Sequence, residues 1–90
     1  MRRVRLVIRG FVQGVSYRAS TVDQARRLGL TGWVKNLRDG GVMLEAQGDT
    51  ARIDALIEWC RDGPPHAQVE GVQVLEVLTE DAEQGFSIQR

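Results

Sequence analysis

The stretch Thr31-Gly32-Trp33-Val34-Lys35-Asn36-Leu37-Arg38-Asp39-Gly40-Gly41-Val42-Met43-Leu44-Glu45-Ala46-Gln47 decides the fold. Thr31 to Asn36 predicts a short strand, and Asp39-Gly40-Gly41 is a hairpin signal. On the return strand Val42, Leu44 and Ala46 alternate with Met43, Glu45 and Gln47. That period of two predicts the first three facing inward and the second three facing outward.

Upstream of this hairpin, Gly29 supplies a natural C-terminal cap for a helix over about 17–28. Val22, Ala25 and Leu28 share one face of it. Ser16 is the expected N-cap, with its hydroxyl accepting from a free backbone N–H one turn in. Further back lie the loop Gly10-Phe11-Val12-Gln13-Gly14 and an alternating strand, roughly 4–9, with Val4, Leu6 and Ile8 on one side. Downstream, Gly48-Asp49 stops the hairpin, and Asp49 or Thr50 caps a second helix. Its residues Ile53, Leu56, Ile57 and Cys60 form one apolar stripe, and Gly63-Pro64-Pro65 ends it. Val69 to Leu78 predicts a strand, and Gly85 to Arg90 a final short one.

The order is β-α-β-β-α-β plus a terminal strand. Two split β-α-β units with right-handed crossovers give an α+β, ferredoxin-like sandwich. Its expected form is an antiparallel sheet of order 4-1-3-2, with both helices on one face and a short C-terminal strand. Residues 1–90 are read as a single domain, because two independent cores at this length would be too small. The topology brings the loop after strand 1 and the end of strand 2 to one edge of the sheet. Strand 3 lies between those strands, so they stand roughly 10 Å apart. A long arginine and an asparagine can both reach an anion held there. If the last strand runs antiparallel to strand 4, the Arg90 carboxylate also ends at this edge, within reach of Arg18.

Composition narrows the function. The chain is 42% hydrophobic and 27% charged, as expected of a globular protein and not of a disordered one. Its longest aliphatic run is Leu6-Val7-Ile8, too short for a membrane span, and the N-terminus carries no signal-peptide apolar region. One cysteine, Cys60, makes no intramolecular disulfide, so a cytoplasmic location is expected. The net charge of zero hides an asymmetry. Residues 1–38 hold nine bases and one acid, for +8, while residues 39–90 hold three bases and eleven acids, for −8. A sequence pI near 6.6 argues against a general nucleic-acid binder.

The loop after strand 1 is the first place to look for chemistry. Its glycines let several backbone N–H groups turn inward, and it feeds a helix N-terminus, a natural anion site. Arg18 stands in the first turn, where a cation opposes the helix dipole and an anion bound alongside would account for it. No Gly-Lys-Ser/Thr follows, so the loop is not that of a nucleoside triphosphatase.

Here the residues carry a resemblance. Gly10-Phe11-Val12-Gln13-Gly14-Val15-Ser16-Tyr17-Arg18 resembles the first signature of the acylphosphatase family. Gly32-Trp33-Val34-Lys35-Asn36, followed by Gly40-Gly41-Val42 and Gly48, resembles the second. Tyr17 departs from the phenylalanine more often found there; it keeps the aromatic packing and adds a hydroxyl, with no expected loss of activity. The resemblance implies a ferredoxin-like fold and a hydrolase that cleaves acyl phosphates to carboxylate and inorganic phosphate by direct attack of water. It implies Arg18 as the phosphate-binding arginine and Asn36 as the residue that positions water. The backbone N–H groups of Gln13, Gly14, Val15, Ser16, Tyr17 and Arg18 would form the phosphate loop. No cofactor and no metal are expected. The expected partners are a small acyl phosphate and, as product or inhibitor, phosphate or another small anion, with no nucleic acid or membrane and a monomeric chain.

Other residues fit less active roles. Cys60 lies on the apolar stripe, and the Cys-x5-Arg loop of cysteine phosphatases is absent. His66 is the only histidine and follows helix 2, away from the loop, so neither a phosphohistidine nor a metal site is expected. Ser16 and Ser20 have no partner histidine. Asp39 and Glu45 read as turn and solvated-face residues, and Trp33 and Trp59 as packing residues. Two alternatives remain: a catalytically idle binding domain of the same fold, against which Arg18 and Asn36 argue, and an RNA-binding module. Arg9-Gly10-Phe11 begins like the latter's RNP1 motif but then departs from it, and strand 3 offers no aromatic platform.

Overall fold

A computed structural model describes residues 1–90. The chain runs β1 (Arg2–Phe11), α1 (Tyr17–Arg27), β2 (Thr31–Asn36), β3 (Val42–Gly48), α2 (Thr50–Asp62), β4 (Gln68–Val77) and β5 (Phe86–Ile88). β1 is longer at both ends than its alternation suggests. Its bases pair there with carboxylates of other elements, so solvated-looking positions are still in the ladder.

The helix ends follow local rules. After α1 the amide of Gly29 donates to the Arg26 carbonyl at 3.0 Å, and that of Leu30 to Ala25 at 2.9 Å. This double return is the Schellman closure that a glycine at this point permits. At the start of α2 the Asp49 side chain accepts from the Arg52 amide at 2.9 Å, an N-cap bond worth about 1 kcal/mol.

The sheet has the order β4-β1-β3-β2-β5. β3 is antiparallel to both β1 and β2, so β1 and β2 point the same way and end at the same edge. Val4, Leu6 and Ile8 of β1 meet Ala46, Leu44 and Val42 of β3, and all six are fully buried. Ile53, Leu56, Ile57 and Cys60 of α2 and Val22 and Ala25 of α1 close over them. At the top of β1 the register against β4 shifts between Arg9 and Gly10. Gly10 has φ 128°, and a Cβ there would fall 2.1 Å from the Gln68 carbonyl oxygen. Only glycine fits this bulge, beyond which β1 keeps pairing with β4 through Phe11 before the loop begins.

Two expectations need correction. The sheet is mixed and not purely antiparallel, because β5 pairs parallel with β2 and adds a fifth strand beyond the expected order. Its neighbour is β2 and not β4. Phe86 anchors it in the core, and the Gln89 amide donates to the Val34 carbonyl at 2.8 Å. Second, Glu45 and Gln47 face away from the helices but are buried. The segment between β4 and β5 covers this outer face. Gln47 exchanges hydrogen bonds with the backbone of Glu80 at 2.8 and 2.9 Å, and Arg3, fully buried, binds both Glu45 and Glu83. Glu45 is therefore an internal ion-pair residue and not a solvated-face one.

Candidate active site

Val12, Gln13, Gly14, Ser16, Tyr17, Arg18, Ala19, Asn36 and Ile88 line one cavity of about 170 Å³. It lies at the edge where β1, β2 and β5 all end, because these three strands are mutually parallel.

The loop is shaped to present amides. Gly14 has φ 77° and Ser16 φ 65°, the one non-glycine residue of the chain in the left-handed region. Left-handed residues alternating with right-handed ones turn successive N–H groups into a concave anion nest. Ser16 occupies the N-cap position as expected, but its hydroxyl accepts no cap bond. The left-handed backbone, not the side chain, forms this helix start. None of the amides from Gln13 to Ala19 donates to a backbone or side-chain acceptor of the chain. The helix opens with no acidic residue in its first turn, so its dipole is uncompensated there.

Arg18 is half-buried at this mouth and forms no ion pair, although all four arginines of β1 do. The Arg90 carboxylate does not pair with it, even though β5 runs toward the cavity. Asn36, the last residue of β2, reaches the same cavity with no side-chain hydrogen bond to the protein. Of the residues expected to act together, Gln13, Gly14, Ser16, Tyr17, Arg18 and Asn36 are brought to the cavity wall. Val15 is not on it; its side chain packs against the core.

Tyr17 is buried, and its hydroxyl donates to the Cys60 carbonyl at 2.7 Å. Burial, then the proximity of Cys60, raises its pKa far above the ordinary tyrosine value. Cys60 is itself sealed in the core, and burial pushes its thiol up to about 12. His66 is exposed and off the cavity. No group of three or more His, Cys, Asp or Glu side chains is arranged to hold a metal ion.

Sequence reasoning missed two wall features. Ile88 forms part of the rim because β5 lies beside β2, a partner choice that three residues do not encode. The Gln13 carboxamide bonds across to the turn after β2; a polar side chain between apolar and glycine residues was the available signal.

The acylphosphatase family model matches residues 4–88. The chain belongs to the acylphosphatase family. Of the two stretches that resemble the family's signatures, the first supplies most of this cavity wall and the second supplies Asn36. Among similar proteins, an acylphosphatase of Methylococcus capsulatus is 50% identical over 90 residues, covering 100% of this chain and 98% of that one. The crystal structure of acylphosphatase from Bacillus subtilis superposes with a TM-score of 0.95 at 32% identity, each chain covered in full. The structure of an acylphosphatase from Coxiella burnetii gives 0.93 at 41% identity, over 98% of this chain and 92% of that one. The ferredoxin-like expectation therefore stands, with β5 as its correction.

Proposed function

We propose that this acylphosphatase-family hydrolase cleaves acyl phosphates by direct attack of water on phosphorus, with Arg18 and the amides of Gln13 to Arg18 holding the phosphoryl group and Asn36 holding the water. Family membership carries the activity. The observation that supports this division of labour is the unpaired Arg18 beside a run of unaccepted amides and the uncommitted Asn36 side chain, all on one cavity.

The chemistry asks little of the protein beyond placement. An acyl phosphate is a mixed anhydride whose leaving group is a carboxylate, stable at neutral pH without a proton. Phosphoryl transfer depends on positioning and on stabilising charge at the equatorial oxygens. The nest and the Arg18 fork supply donors to those oxygens, while the Asn36 amide orients water opposite the leaving carboxylate. As the water oxygen bonds to phosphorus, the phosphorus–carboxyl oxygen bond breaks and the electron pair leaves with the carboxylate. The water's proton passes to a phosphate oxygen of the substrate. Neither a metal ion nor an organic cofactor enters this scheme.

A cavity of about 170 Å³ is well below the roughly 300–1,000 Å³ of drug-sized sites. It suits the phosphoryl group and leaves the acyl group at the rim near Ile88, so small acyl phosphates of varied side chain are the substrate class. Inorganic phosphate is then a competitive product inhibitor. We read residues 1–90 as one such domain, acting as a cytoplasmic monomer, with neither nucleic acid nor membrane as a partner. No helix is long and apolar enough to cross a membrane.

The test is benzoyl phosphate hydrolysis in the presence of a chelator. Arg18→Ala is expected to lose at least about 10²–10³ in turnover. Arg18→Lys restores only part, because a point charge replaces a planar fork. Wild-type turnover in a folded Arg18→Ala protein would reject the assignment.

A further inference from the structure

The Gln13 carboxamide nitrogen donates to the Leu37 carbonyl at 2.7 Å and to the Gly41 carbonyl at 2.8 Å. Both of its hydrogens are used on one turn, the turn that begins at the residue after Asn36. That turn does not need Gln13 to close. The Leu37 amide already donates to Gly41 at 2.8 Å, the Gly40 amide to Leu37 at 3.2 Å, and Asp39 accepts from the Gly41 amide at 3.1 Å. Arg9 pairs with Asp39 from the strand below. What Gln13 adds is a link between two elements: no other side chain hydrogen bond joins residues 12–18 to residues 36–41.

We propose that Gln13 is a positioning residue, whose side chain holds the anion loop in register with Asn36. The loop hangs from β1 and Asn36 from β2, with β3 between them, roughly 10 Å apart at strand spacing. Beyond the start of β3 at Val42, sheet hydrogen bonds no longer fix that separation. The two bonds from Gln13 span it at the height of the cavity. The proposal rests on the reading of Asn36 as the residue that orients water. In-line attack needs the water within near-attack distance of phosphorus, and a misplacement of about 1 Å costs about 10²-fold.

The test is a double-mutant cycle of Gln13→Met and Asn36→Ala, read with benzoyl phosphate and with inorganic phosphate as inhibitor. Gln13→Met keeps length and removes the donors. Its kcat is expected to fall about 10- to 100-fold. The inhibition constant of phosphate moves less than about threefold, because the loop amides remain. In the Asn36→Ala background the same substitution costs less than about twofold, since the two residues act as a unit. An equal loss in both backgrounds overturns the proposal, as does an unchanged kcat, or a phosphate inhibition constant that rises in step with the fall in kcat. If Asn36→Ala alone keeps wild-type turnover, the premise fails and the proposal with it, a result visible separately from the cycle. Should Gln13→Met not fold, Gln13→Asn, whose amide is one methylene short, carries the same cycle.

Discussion

Tyr17 illustrates how a side chain is fixed by a need elsewhere. In α2 the Cys60 carbonyl would normally accept from the amide four residues on, but that residue is Pro64, which has none. The Tyr17 hydroxyl supplies the missing donor at 2.7 Å, and its ring packs 5.7 Å from that of Trp59. The aromatic at the start of α1 thus holds the helix against the end of α2, beneath the anion loop. Tyr17→Phe leaves a buried carbonyl without a donor. Its unfolding free energy in urea is expected to fall by about 1–3 kcal/mol. A loss within error would mean that water reaches the Cys60 carbonyl. The hydroxyl was readable in the sequence as an addition to the family pattern. Its purpose was not, because the acceptor lies 43 residues away.

Among the elements, the outer face of the sheet departs most from its sequence pattern. Alternation in β3 sends Glu45 outward correctly, but whether outward means solvated depends on what crosses that face. Arg3 and Arg5 both bind Glu45, at 2.8 and 2.6 Å, and Arg3 also holds Glu83 of the covering segment at 2.7 Å. Burial works to raise the Glu45 pKa, but the hydrogen bonds from Arg3 and Arg5 outweigh it and hold the carboxyl below its ordinary value. A depressed carboxylate pKa contributes stability that is fully present above the unfolded-state value, about 4.3. That contribution is lost as pH falls through the folded-state value. Urea midpoints of the wild type should therefore drop in acid below this point. Glu45→Gln should flatten that limb while lowering stability near neutrality by about 1.5–3 kcal/mol. An acid limb of the same slope in the variant would contradict this role. By contrast the hairpin, both helices and the loop were legible, because each rests on local signals: Asp39-Gly40-Gly41, Asp49, Gly29, and the alternation of Val4, Leu6 and Ile8. The edge chosen by β5 was not legible, since Phe86 selects it by filling a pocket formed by distant elements.

At the scale of the molecule, the opposed charges of the two halves become its cross-links. Arg2 binds Asp54 and Glu76, Arg3 binds Glu45 and Glu83, Arg5 binds Glu45, and Arg9 binds Asp39. Each joins a base of β1 to an acid of the other half. The pairs of Arg2 and Arg9 have exposed carboxylates and contribute about 0.2–1 kcal/mol each, so they shape the surface, while those of Arg3 with Glu45 and Glu83 are buried beneath the covering segment. With these bases committed to the sheet, Arg18 remains at the cavity without a carboxylate partner. A chain with no net charge can in this way present one local cationic site to one small dianion.

Hydrolysis of benzoyl phosphate in water enriched in heavy oxygen tests the central claim most directly. If Asn36 orients water toward phosphorus held by Arg18 and the loop, the heavy oxygen appears in inorganic phosphate and none in benzoate, and Asn36→Ala slows this labelled turnover by about 10²-fold or more. Heavy oxygen in benzoate would place the attack at the acyl carbon and contradict the mechanism.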